Sequence, residues 1–229
     1  MVKESSDSGV ELEQAAESVA TANGRASKLI WFDQSGKELG QIAEAGYSEP
    51  RLSPDGRFLA VSSDDARNGK LFVRVYDLER GVATRLTDGV SDESPVWSHD
   101  GRKLAYGSSD GRAHYVNVVS ADHSSPPQHL LKGDAIMRHL DWSPDGHLVF
   151  MDLSNGTSLK VYPAADKQAA PFGLGAEARF SPDGKWIAYI AGIAGIVVQP
   201  FPGPGGRIEI SSGSGAQPVW ARDGRKIFS

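Results

Sequence analysis

One alternation of apolar runs and turn signals recurs along the chain. A short β-rich run ends at Leu52, Trp97, Trp142, Phe180 or Trp220, an Asp-Gly pair follows three residues on, and a second apolar run begins, as at Phe58 to Val61 and Trp186 to Ile190. Each copy predicts strand, tight turn, strand. A third run comes next (Leu71 to Tyr76, His114 to Val119, Ser158 to Tyr162, Ile196 to Phe201), then a turn and a fourth run such as Ala83 to Thr87 or Arg207 to Ser211. The unit is a four-stranded antiparallel meander.

The turns carry one phrase: SPDGRFLAV at Ser53, SHDGRKLAY at Ser98, SPDGHLVF at Ser143, SPDGKWIAY at Ser181 and ARDGRKIF at Ala221. Their aspartates, Asp55, Asp100, Asp145, Asp183 and Asp223, are 45, 45, 38 and 40 residues apart, which is the length of one propeller blade. The expected fold is all-β, a β-propeller of four-stranded blades, with Trp97, Trp142, Phe180 and Trp220 in equivalent buried places between blades. Lys28 to Phe32 and Glu38 to Ile42 resemble the outer half of a blade. Pairing with strands near Gln217 to Trp220 and Arg225 to Phe228 would make five blades, four complete and one shared between the termini; the alternative is a fragment of a larger propeller. Residues 28–229 form the propeller domain, and 1–27 an N-terminal extension, poorly ordered or with a short helix around Val10 to Ala20, or else a decayed pair of strands.

Composition narrows the partners more than the fold. At 229 residues, 39% hydrophobic and 23% charged, the chain has the make-up of one large folded domain. A net charge of -5 gives no basic field for nucleic acid or anionic lipid, so a protein, peptide or small polar ligand is the expected partner. The absence of cysteine excludes disulfides and thiolate metal sites. The apolar stretch from Trp186 ends at Val198, too short for direct membrane insertion, and residues 1–27 lack the basic and apolar regions of a signal peptide.

No catalytic signature survives inspection. GYSEP from Gly46 and SSGSG from Ser211 fail the nucleophile-elbow pattern, and kinase, P-loop and zincin motifs are missing. The six histidines show no ligand spacing, so no metal or cofactor is expected. Aspartate before glycine in a hairpin normally accepts hydrogen bonds from its own turn. Asn155-Gly156-Thr157 fits a glycosylation sequon and equally a type I′ turn, which is preferred. Binding is expected at the channel mouth, where loops entering the inner strands and loops joining second and third strands converge. The candidates are Glu49, Asp64, Asp65, Arg67, Glu93, Arg138, His139, Glu177 and Gln217, with Asp110 and Asp152 nearby, a mixed set rich in carboxylates that suits a cation or a basic peptide.

The SPDG-[RK]-x-[LI]-A-[YV] phrases, WFDQSGKELG from Trp31 and VQPFPGPGG from Val198 resemble the WD-like Pro-Asp-repeat propellers, relatives of the propeller of periplasmic TolB, over Lys28 to Phe228. His99 in place of the usual proline, Ala221-Arg222 in place of Ser-Pro and the short AGIAGIVV segment depart from that pattern. WFDQSGKELG with VQPFPGPGG is also similar to propeller regions following bacterial Ser/Thr protein kinases. These resemblances imply a non-enzymatic interaction or sensor module and a periplasmic or other extracytoplasmic site. The same repeat type builds the substrate-gating domain of prolyl-oligopeptidase-like serine peptidases, one alternative; a glycan-active propeller enzyme is another.

Overall fold

The computed structural model describes residues 16–20, 27–32, 37–44, 46–65, 68–154, 156–163, 168–192, 195–203, 205–211 and 217–228. Among them every regular element is a strand, and no helix is long and apolar enough to cross a membrane.

The chain opens with a three-stranded sheet, β1 (Ala16–Ala20), β2 (Ser27–Phe32) and β3 (Glu38–Glu44), in that order. The first full blade is β4 (Tyr47–Leu52), β5 (Phe58–Asp64), β6 (Leu71–Asp77) and β7 (Val82–Arg85). The second is β8 (Ser91–Trp97), β9 (Lys103–Ser109), β10 (His114–Ser120) and β11 (Gln128–Gly133). One parallel bridge, Leu71↔Ser91, joins these two blades. The third is β12 (Met137–Trp142), β13 (Leu148–Asp152), β14 (Ser158–Tyr162) and β15 (Ala170–Leu174), and the fourth β16 (Ala176–Phe180), β17 (Trp186–Ile190), β18 (Ile196–Pro200) and β19 (Ile208–Glu209). A two-stranded sheet, β20 (Val219–Trp220) with β21 (Ile227–Phe228), follows.

All four full blades are antiparallel meanders, as the apolar runs predict. Their second strands are apolar on both faces because each is sandwiched between neighbouring sheets: every residue of β13 is buried. The core is therefore a set of interfaces between sheets. Leu29 packs with Leu59, Val61 and Tyr76; Ala60 and Val73 with Trp97, Leu104 and Tyr106; Val96 and Val116 with Leu140 and Phe150; Val149 and Leu159 with Phe180 and Tyr189. Trp97 and Phe180 are buried there, and Trp142 packs at the same level half-buried.

The Asp-Gly turns behave as expected. In the first, Asp55 Oδ1 accepts from Ser53 Oγ (2.5 Å) and Arg57 N (3.1 Å), while Gly56 adopts a φ of 72°. Successive turns stack on one another: a Cβ at Gly101 would lie 3.6 Å from Pro54, at Gly184 3.3 Å from Pro144, and at Gly224 3.7 Å from Pro182. The first turn leans on the fifth in the same way, since a Cβ at Gly56 would lie 3.7 Å from Arg222 Nη2, so the series of turns closes on itself.

Ala16–Ala20, for which the sequence left open a helical pattern or a decayed pair of strands, is strand β1, because the edge of β2 offers a ladder to extended backbone. With β1 on that edge, no ladder joins β2 or β3 to β20 or β21 among the described residues. The fifth turn meets the first by packing.

Candidate functional site

Each full blade begins with a bulge. The register between first and second strands slips between Ser48 and Arg51, Glu93 and Val96, Arg138 and Asp141, and Ala176 and Arg179. Within every bulge one non-glycine residue turns left-handed: Glu49 (φ 53°), Ser94 (57°), His139 (52°) and Glu177 (53°), followed by Gln217 (52°) just before β20. Their spacing repeats that of the turns, so they are equivalent positions on the inner strands. Left-handed backbone costs an L-residue roughly 1–2 kcal/mol, and five such residues need compensation.

Hydrogen bonds from blade to blade provide it. Ser94 N and Ser94 Oγ donate to the Glu49 carboxylate at 2.8 Å, and Ser62 Oγ donates to Glu49 Oε2 at 3.1 Å. His139 N donates to Ser94 Oγ at 2.9 Å, and Gln217 N to Glu177 Oε2 at 2.7 Å. Between His139 and Glu177 the link drops two residues along the strand, where Phe180 N donates to Asp141 Oδ2 at 2.7 Å. Trp97 Nε1 and Trp220 Nε1 donate to the carbonyls of Arg51 and Arg179 in the preceding blade, at 2.9 and 3.1 Å.

The charges concentrate over the second blade. Small Ser94 lets Glu49, from the first blade, reach His139 of the third, whose Nδ1 lies 3.1 Å from Glu49 Oε1. Burial pushes the Glu49 carboxyl up, but the bond and charge of His139, the Ser94 hydroxyl and Arg51 outweigh it and hold the group down at about 2. Burial and the neighbouring Glu49 charge raise Glu93, with Arg138, His139 and His114 opposing. Asp141 is pushed up to about 6 by burial, against the pull of Arg51 and two backbone amides.

The candidates from sequence thus divide. Glu49, Glu93, Arg138 and His139 come together, and Glu177 with Gln217 forms the next link. Asp64 is exposed at the end of β5, its Oδ1 occupying the space a Cβ would fill at Gly46. Asp65 caps the following turn, accepting Asn68 Nδ2 at 3.0 Å, and Asp110 accepts the amides of Arg112 and Ala113 at 2.8 Å. Asp152 pairs with Lys160 at 2.8 Å. Arg67, and Asn155 of the sequon, lie outside the described residues. Sequence reasoning missed Ser94, the centre of the network, together with Ser62, Arg51 and Asp141. The signal for Ser94 was available, since it stands 45 residues after Glu49 and 45 before His139.

Serine, histidine and glutamate meet here as in some hydrolases, but the wiring differs. The Ser94 hydroxyl and the His139 ring both address Glu49, so serine has no imidazole base. No group of three or more His, Asp or Glu side chains able to hold a metal occurs among the described residues.

No protein-family model matches the sequence. Over 97 residues, 42% of this chain, it is 32% identical to the Tol-Pal system protein TolB of Hydrogenovibrio crunogenus, 22% of which is covered. It is 28% identical over 162 residues, 64% of this chain, to the uncharacterized peptidase YuxL of Bacillus subtilis, covering 22% of that protein. The chain thus spans about a fifth of each relative. The crystal structure of TolB from Acinetobacter baumannii superposes with a TM-score of 0.76 at 17% identity, over 88% of this chain and 53% of that one. Stacked antiparallel blades, a closed series of Asp-Gly turns and these likenesses agree: the chain has a TolB-like β-propeller fold.

Proposed function

We propose that this propeller is a non-catalytic recognition module that binds a protein, peptide or small ligand at the axial mouth, and that it is the sensor region of a bacterial Ser/Thr kinase. The observation that carries this reading is the blade-to-blade network itself. Its carboxylates and hydroxyls are tied to backbone amides, a rigid frame suited to presenting a surface and poorly suited to proton transfer. The likeness to a Tol-Pal system protein supports an interaction role, and the WFDQSGKELG and VQPFPGPGG phrases support the kinase setting.

The test is affinity capture with the full chain, comparing wild type, a mouth variant (Glu93→Gln with Arg138→Met) and a turn-face variant (Arg102→Ala). A partner lost by the mouth variant and kept by the turn-face variant is the expected result; equal capture by all three refutes the mouth. The likeness to a peptidase favours a second reading, a substrate-gating domain. It requires a hydrolase domain in the same polypeptide, and the parent gene decides that.

A further inference from the structure

The outer half of the first blade carries a second concentration of charge. Arg74 on β6 and Arg85 on β7 are direct register partners in the antiparallel pair, so their side chains leave the sheet side by side on one face. Both guanidiniums lie against the same phenyl ring: Arg85 Cζ is 4.2 Å and Arg74 Cζ 5.0 Å from the centroid of Phe72, two residues before Arg74 on the same face of β6. That ring is buried, and so is Tyr76, two residues beyond Arg74. The two arginines rest on an aromatic floor.

Like charges set directly across a ladder repel, and an aromatic ring answers them only with a quadrupole. It orients two cations without neutralising either. Arg74 enters no ion pair among the described residues, and its Nε is buried without a hydrogen-bond partner. Arg85 Nε donates to Thr87 O at 2.7 Å and meets Asp88 Oδ1 at 3.1 Å, but the Asp88 side chain is 93% exposed, and a pair so fully solvated is worth little. Two guanidinium forks therefore stand together on an apolar base with one solvated carboxylate at their side.

We propose that Arg74 and Arg85, seated on Phe72, bind a phosphate group, carried by a small phosphomonoester or by inorganic phosphate. A phosphate dianion has an oxygen edge for each fork and a charge for each guanidinium. A carboxylate has one edge and one charge, so it satisfies one arginine and leaves the other unpaired. The buried rings beneath lower the local dielectric and strengthen each charge-assisted bond. The pair sits on the third and fourth strands of its blade, apart from the inner-strand bulges, and does not depend on what the mouth binds.

Isothermal titration of the full chain at about pH 7.5, where a phosphomonoester is a dianion, tests this with glycerol 3-phosphate and inorganic phosphate as probes and glycerate as the matched carboxylate. Saturable binding of at least one phosphate is expected, with glycerate at least tenfold weaker, and the tighter of the two phosphates identifies the source. Arg74→Gln and Arg85→Gln should each weaken phosphate at least tenfold. Arg80→Ala, which removes an exposed arginine from the turn between the same two strands, should leave it unchanged. Absence of phosphate binding overturns the proposal, as does equal binding of glycerate or wild-type affinity in both glutamine variants. An equal loss in Arg80→Ala overturns it too, because diffuse positive charge then accounts for the binding. Should Arg74→Gln fail to fold, exposed Arg85→Gln and the glycerate comparison still decide.

Discussion

The two ends of the inner strands solve the same problem in opposite ways. At the Asp-Gly end every bond closes within its own repeat: Asp100 accepts from Ser98 Oγ (2.6 Å) and Arg102 N (3.0 Å), and Asp183 from Ser181 Oγ (2.6 Å) and Lys185 N (3.1 Å). At the bulge end the bonds leave the repeat, from Ser94 to Glu49, from His139 to Ser94, from Gln217 to Glu177. Local geometry requires the same letters each time, and Asp-Gly indeed recurs at all five of these turns. The bulge needs only some polar atom near the next backbone amide, so Glu49, Ser94 and Glu177 serve from the left-handed position itself and Asp141 serves in place of His139. Sequence repetition thus marks self-contained structure, and variation at a repeated position marks contact between repeats.

Substitutions at the two ends sharpen the contrast. The largest effect is expected at the interface both ends depend on: Trp97→Ala removes a buried indole and its bond to Arg51 O, costing about 3–5 kcal/mol in urea unfolding. Next comes Glu49. Its carboxyl sits at about 2 in the fold against 4.5 ordinarily, so its contribution, about 3 kcal/mol, is present above pH 4.5 and lost as pH falls toward 2. Unfolding measured across that window should show the loss, and Glu49→Gln should flatten it. Ser94→Ala leaves the amide of His139 without its acceptor and should cost about 1–3 kcal/mol, more than Ser98→Ala, whose bonds stay within one turn. A larger loss at Ser98 would reverse the comparison. The smallest effect is a gain: Ala221 replaces the serine of the other four turns, and Ala221→Ser should restore the hydroxyl bond to Asp223, adding no more than about 1 kcal/mol.

The blades were legible in the sequence because strand alternation and Asp-Gly turns are local signals, and four of the five left-handed positions were singled out as candidates. Ser94 was passed over for its neighbour Glu93, since a charged residue draws attention where a small one does the linking. Asp141 was missed for another reason: its partners, Phe180 N and the Arg51 charge, lie on other blades, and no spacing within one repeat announces them. Residues 16–20 carry an alanine-rich, helix-favouring composition, and pairing with β2 overrides it.

The contact between Gly56 and Arg222 bears on how the molecule comes apart. A linear stack of repeats peels from its outermost members, and its units exchange amide protons at graded rates. A wheel whose first spoke rests against the last has no outermost member, and two junctions must part before any spoke swings free. Protected amides in all four full blades should accordingly exchange deuterium together, in one concerted opening, and Arg222→Gly should turn that single event into a gradient starting at the seam.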